Sequence, residues 1–167
     1  MTNATIVFTD LVGFTAYTDV CGDAAALALL DRQTELARGV VDAADGRVVK
    51  ELGDGLMLWF AAPRPAVEAT IELRAQIERA RRNGTFELAV RYGMHHGEVQ
   101  TRANDYVGRT VNIAARVTDL AAHGELLVSD DVIAGIGTTL PAVTFRDVGP
   151  TRIRGVAAPI WLYRLVD

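Results

Sequence analysis

Residues 46–60 read GRVVKELGDGLMLWF, and this stretch decides the fold. Two strand-like runs, RVVKEL and LMLWF, flank Gly53-Asp54-Gly55, and an Asp-Gly step between such runs signals a β-hairpin. Upstream, Ala26, Leu29, Leu30, Leu36, Val40 and Val41 recur at helical spacing between Asp23, the expected N-cap, and about Ala44. Residues 4–9 (ATIVFT) read as a short buried strand before that helix. Downstream, Val67, Ile71 and Ile77 mark the apolar side of a helix from about Arg64 to Arg82, stopped by Asn83-Gly84. The strand FELAVRYGMHHGEV (86–99) follows, then a polar excursion, QTRAND (100–105).

A third helix is expected from Gly108 or Arg109 to about Ala122. The tail supplies LLVS, a short helical piece after Asp130, and the strands VTFRDVG and PIWLYRLV. The order β-α-β-β-α-β with further αβ elements predicts an α+β fold: a ferredoxin-like βαββαβ core extended into a mixed sheet covered by helices. No repeat, low-complexity run or long linker interrupts it, so residues 1–167 read as a single domain.

Composition narrows the function. Half of the 167 residues are hydrophobic, enough to bury a core. A net charge of −4 gives no global basic field for nucleic acid or an anionic membrane. Cys21 is the only cysteine, which excludes an intrachain disulfide and a cysteine-rich zinc site and suits a reducing cytosol. Neither a signal peptide nor a run of roughly 20 apolar residues is evident, so the expectation is a cytoplasmic domain.

Three segments are polar where the pattern predicts apolar residues. In FTDLVGFT (8–15), Asp10 shares strand parity with Ile6 and Phe8, and a carboxylate on an interior face needs a partner or a cation. Asp10 could instead cap the following helix. The turn at Leu11-Val12-Gly13-Phe14-Thr15 could offer backbone N–H groups to phosphate oxygens, with Gly13 allowing close approach.

The second segment is Lys50-Glu51-Leu52-Gly53-Asp54-Gly55. Asp54 is either an ordinary turn residue or, facing Asp10 across the β-α-β-β core, half of a two-carboxylate site suited to magnesium and substrate phosphates. Lys50 shares parity with Val48 and Leu52, an awkward place for a lysine on a purely structural strand. In the third segment, Asp105 to Arg116, Asn112 and Arg116 share one helix face, which is either a solvated face or a ligand-binding one. The neighbouring face carries Val111, Ala114, Ala115 and Val117.

Together these segments resemble the class III adenylate and guanylate cyclase catalytic domain. The family's F-x-D-(I/L/V)-x-G-F motif matches Phe8 to Phe14, its K-x-x-G-D element matches Lys50 to Asp54, and its D-x-x-G-x-x-V-N-x-A-x-R element matches Asp105 to Arg116. The resemblance implies conversion of ATP to 3′,5′-cyclic AMP with two Mg²⁺ or Mn²⁺ ions per site. By it, Asp10, Asp54 and the Leu11 carbonyl hold metal, Lys50 and Asp105 read the base, Asn112 orients the ribose, and Arg116 stabilises the transition state. It also implies a head-to-tail homodimer with two interfacial sites. One subunit gives the metal aspartates and the other gives Lys50, Asp105, Asn112 and Arg116.

Lys50 can only donate and ionised Asp105 can only accept, which complements adenine N1 and N6 and opposes guanine. Two positions depart from the pattern. Glu98 follows His95-His96-Gly97 where some relatives carry a phosphate-binding arginine, and Arg154 before Gly155 stands where lysine is usual, as a further triphosphate contact. Two alternatives stay open: a purine cyclase with relaxed ATP/GTP selectivity, and an inactive nucleotide-binding sensor domain. His95, His96 and His123 lack metal-ligand spacing, Arg79, Arg81 and Arg82 read as complements to a helix dipole, and Trp59 and Trp161 read as core.

Overall fold

The computed structural model describes residues 1–137, 140 and 142–167. In chain order the elements are β1 (Thr2–Leu11), α1 (Phe14–Cys21), α2 (Asp23–Ala43), β2 (Arg47–Leu52), β3 (Gly55–Phe60), α3 (Pro63–Arg82) and β4 (Val90–Arg102). Then come β5 (Asp105–Val107), α4 (Arg109–Leu120), β6 (Leu126–Ser129), α5 (Asp130–Ile136), β7 (Thr144–Thr151) and β8 (Ile160–Val166). The sheet runs β2-β3-β1-β4-β6-β8-β7, with β5 paired to β4 off this path. Every pairing is antiparallel except β4 with β6, so the sheet is mixed and its first four strands have the expected ferredoxin-like order.

Strand β1 lies inside the sheet and is buried on both faces, which is why ATIVFT is continuously apolar or small rather than alternating. Val7 and Leu11 face a core shared with α2, α3 and α5. Ala4, Ile6 and Phe8 face the opposite side, where Tyr106 and Ala114 cover them. Helix α4 lies on that second side with Ile113, Ala114 and Val117 fully buried, as its apolar face predicts.

Some boundaries moved. Gly22, not Asp23, is the N-cap of α2, and a separate helix α1 precedes it. Strand β4 starts at Val90, and the polar QTRAND is no loop: β4 continues through Arg102 and folds back as β5. Polar residues suffice there because the ribbon projects beyond the main sheet and leaves much of its surface in water. Trp161 is 42% exposed and its indole N–H donates to Asp147 Oδ1 at 2.6 Å, so it is not core. Trp59 is half-buried.

Close approaches require glycine at two positions that shape the site, among others. A Cβ on Gly55 would collide with the Thr9 carbonyl oxygen, and one on Gly93 would collide with Thr118 of α4. Gly93→Ala must therefore push α4 off β4, with an expected loss on the order of 1–3 kcal/mol in denaturant unfolding. Gly39, exposed on α2 with open space around it, gives the opposite sign: Gly39→Ala should stabilise by about 0.5–1 kcal/mol.

His95 is 2% exposed and shares a 2.6 Å hydrogen bond between Nδ1 and Ser129 Oγ. Burial, with Arg109 and His96 adding, pushes its pKa down to about 4 despite the opposing charge of Asp131. The unfolded chain takes up this proton near pH 6.5 and the folded chain does not, so stability falls as pH drops from 6.5 to about 4. Thermal unfolding of His95→Gln should show a shallower loss over that interval than the parent chain.

Candidate active site

Antiparallel pairing of β1 with β3 sets Asp10 opposite Gly55, so the β2–β3 turn delivers Asp54 beside the end of β1. The two carboxyl groups meet there. Burial first, then contact with Asp10, pushes the Asp54 carboxyl up to about 6, against the lowering charge of Arg91. Asp10 does not cap a helix: Gly13, in the left-handed conformation, is the N-cap of α1, with no side-chain cap.

Two residues that the sequence reading did not single out hold this pair. Arg91 of β4 lies directly across from Asp10. It donates to Asp10 Oδ2 from Nε at 2.8 Å, its second terminal nitrogen lies 2.6 Å from the same oxygen, and its other terminal nitrogen donates to the Asp119 carbonyl at 3.2 Å. Gln33 of α2 is 1% exposed, accepts from Thr9 Oγ1 at 3.4 Å and donates to the Asp54 carbonyl at 3.3 Å. Thr9 Oγ1 also accepts from the Leu56 N–H at 3.1 Å, tying the hairpin to β1. Strand alternation could have flagged Arg91, which lies between the buried Val90 and Tyr92. A glutamine on the apolar stripe of α2, four residues after Leu29, was the signal for Gln33.

The donor set suits a hard cation bound jointly with substrate. Two adjacent carboxylates, one raised in pKa by burial and by the other, are stabilised by positive charge between them. Among the described residues no group of three His, Cys, Asp or Glu side chains forms. A cation here would complete its shell from phosphate oxygens and water, as Mg²⁺ and Mn²⁺ do. Leu11, named for its carbonyl, is the last residue of β1, with its side chain in the core.

Lys50 and Asp105 come together from separate elements. A β-bulge between Val48 and Lys50 shifts the register, so Val48 lies opposite Leu58 and Lys50 opposite Met57. The strict parity expected between Lys50 and Val48 is thereby broken: Val48 turns to the α2 side and Lys50 to the α4 side. Lys50 Nζ then donates to Asp105 Oδ2 at 2.6 Å, and this hydrogen bond holds the Asp105 carboxyl below its ordinary range.

Helix α4 presents two polar flanks. Ala115, Thr118 and Asp119 border a recess of about 180 Å³ with Asp10, Leu52 and Gly55. Asn112 and Arg116 sit roughly a quarter-turn around the helix. With Arg109, Arg154, Gly155 and Val156 they line a separate cleft of about 530 Å³. Arg154 thus joins Asn112 and Arg116, whereas Glu98 borders a different cleft beside His95 and His96. Gly13, Phe14 and Thr15 open α1 just beyond Asp10, and its first turn carries no acidic side chain to repel an anion. Within one chain, then, the site residues form two groups opening into different clefts, with the Lys50–Asp105 pair between β2 and β5.

At 33% identity over 163 residues, the chain is similar to a pH-sensitive adenylate cyclase of Mycobacterium tuberculosis, the match spanning 96% of this chain and 40% of that protein. It spans about 40% of the length of the first curated relatives it matches. Its fold superposes on the adenylyl cyclase CyaB from P. aeruginosa with a TM-score of 0.86 at 24% identity, covering 99% of this chain and 94% of that one. It superposes equally on the guanylate cyclase domain of RhGC from Catenaria anguillulae in complex with GTP, with a TM-score of 0.85 at 18% identity over 99% and 96% of the two chains. The backbone likeness shows the fold and does not distinguish the two nucleotides. The profile of the adenylate and guanylate cyclase catalytic domain matches residues 1–166, and the chain belongs to that family.

Proposed function

We propose that residues 1–167 form one catalytic domain that converts ATP to 3′,5′-cyclic AMP and pyrophosphate at sites shared by two copies of the chain. The observation that carries the choice of ATP is the Lys50–Asp105 contact, which sets an obligate donor 2.6 Å from an obligate acceptor. Adenine presents an acceptor at N1 and a donor at N6, matching the pair. Guanine reverses both and would leave buried polar groups facing like partners.

In this reading Asp10 and Asp54, with the Leu11 carbonyl, hold two Mg²⁺ or Mn²⁺ ions. Bound there, the ions would lower the pKa of the ribose 3′-hydroxyl and neutralise the triphosphate. Asn112 fixes the ribose so that its 3′-oxygen lies in line with the α-phosphorus. Arg116 offers a planar donor fork to the α-phosphoryl oxygens as charge develops and pyrophosphate departs. Arg154, in the same cleft, and the backbone of Gly13, Phe14 and Thr15 take the remaining phosphate oxygens.

Support for a shared site comes from α4: Asn112 and Arg116 open away from the recess that holds Asp10. A head-to-tail homodimer brings one copy's carboxylates to the other copy's Asn112, Arg116 and Lys50–Asp105 pair, twice by symmetry. No helix among the described residues is long and apolar enough to cross a membrane, and a cytoplasmic location accords with the lone exposed thiol of Cys21.

Cyclic nucleotide production by the purified chain tests the substrate. Metal-dependent cyclic AMP should exceed cyclic GMP by at least about 100-fold at matched nucleotide; equal turnover would sink the assignment of Lys50 and Asp105. Mixing two inactive variants tests the sharing. Arg116→Ala should lower kcat by about 10²–10³, and Asp10→Ala should be silent. After subunit exchange the mixture should regain about a quarter of parental activity, because half the dimers carry one intact site. Demonstrated exchange without recovery rules out the interfacial arrangement.

A further inference from the structure

The separation of Lys50 from Asp105 is not set by the backbone. Strand β2 is an edge strand paired only with β3, and β5 is a three-residue strand paired only with the far end of β4. A two-stranded ribbon that short does not hold its place unaided in water. Something else must keep the β5 carboxylate against the β2 ammonium.

Three side chains stand at that junction. Tyr106, next to Asp105, is 6% exposed and stacks on Trp59 of β3, with ring centroids 5.7 Å apart and planes 14° from parallel. Arg47 of β2 lies over both rings, its guanidinium carbon 5.2 Å from the Trp59 centroid and 5.6 Å from that of Tyr106. It also donates to the Tyr106 hydroxyl at 2.7 Å. The indole N–H of Trp59 is buried with no partner among the described residues, so this tryptophan serves by its ring face, at the cost of an orphaned donor. The Tyr106 N–H donates to Asp105 Oδ1 at 2.8 Å, which fixes the carboxylate and leaves Oδ2 for Lys50.

We propose that Arg47, Trp59 and Tyr106 form a clamp of positioning residues that locks Asp105 against Lys50 and thereby sets the nucleotide preference. This rests on the reading of Lys50 and Asp105 as the base-recognising pair. The chemistry makes the effect specific. Locked, the pair meets only an N1 acceptor beside an N6 donor. Unlocked, the ammonium can reach O6 and the carboxylate can reach N1–H, so guanine gains what adenine loses. A loosened clamp lowers discrimination and leaves the metal carboxylates and Arg116 in place.

The test uses residues 1–167 in Mg²⁺. It compares dissociation constants for 3′-deoxy-ATP and 3′-deoxy-GTP, which cannot cyclise, together with kcat and KM for ATP and GTP. Trp59→Leu and Arg47→Leu should each lower the ATP:GTP ratio of binding and of kcat/KM by at least about tenfold, chiefly through KM. Trp59→Phe, which keeps a stacking ring, should recover most of the ratio. If both leucine variants lose activity equally on the two nucleotides, the clamp is only structural and the proposal is overturned. Should Trp59→Leu fail to fold, the exposed Arg47 decides through Arg47→Leu. Lys50→Ala separates the two readings: a ratio unchanged there overturns base recognition by Lys50 itself. A ratio lost there but kept in the clamp variants overturns the clamp alone.

Discussion

Two like charges held side by side at the end of a buried strand are the constraint around which the rest of this molecule is arranged. Asp10 is the penultimate residue of a strand enclosed on both faces, and the β1–β3 register brings Asp54 against it. Burial, with the neighbouring Asp10 adding, makes that juxtaposition unfavourable and pushes the Asp54 carboxyl up to about 6. It persists because several elements converge to hold it. Arg91 reaches across from β4 to Asp10, Gln33 reaches down from α2 to the Asp54 backbone, and Thr9 joins that helix to the hairpin. Gly55 contributes by having no Cβ, since any side chain there would force β3 away from Thr9. Much of the polar interior near β1 thus serves the electrostatic problem created by two aspartates, a problem that a divalent cation would relieve.

The opposite end of the site follows a different logic. Lys50 lies on the sheet's edge strand β2 and Asp105 on the short β5, where they neutralise one another. Their geometry depends on a bulge that turns Lys50 to the α4 side and on aromatic stacking that anchors the ribbon. Rigid backbone pairing therefore supports the carboxylates, while side-chain packing supports the Lys50–Asp105 pair. On the proposed reading of that pair as base-recognising, the division would let a few side chains alter nucleotide preference while sheet register keeps the carboxylates fixed.

Helix α4 joins these two halves without merging them. Its buried face packs on β1 and β4, and the Gly93–Thr118 approach fixes its height above the sheet. Its polar residues then split between the Asp10 recess and the Arg154 cleft. The two flanks lie roughly a quarter-turn apart, which fits the proposal that Asp10 and Arg116 meet one substrate from different copies of the chain.

Apart from helix α1 and strand β5, the sequence by itself determined the order of elements and the ferredoxin-like core, and it singled out Asp10, Asp54, Lys50, Asp105, Asn112 and Arg116 as candidate site residues. Those features are written in local signals: hairpin chemistry at Gly53-Asp54-Gly55, periodic apolar residues, and polar residues placed where apolar ones belong. Tertiary structure alone decided what holds them. Arg91 lies 81 residues from Asp10, Gln33 lies 21 from Asp54, and Tyr106 lies 59 from Arg47, and no local pattern announces such pairs. The bulge after Val48 was equally hidden, because strand parity read from sequence assumes an uninterrupted ladder, and a single extra residue reverses it. Local propensity is set by neighbours along the chain, whereas charge compensation and ring stacking are set by neighbours in space, which exist only once the sheet has formed.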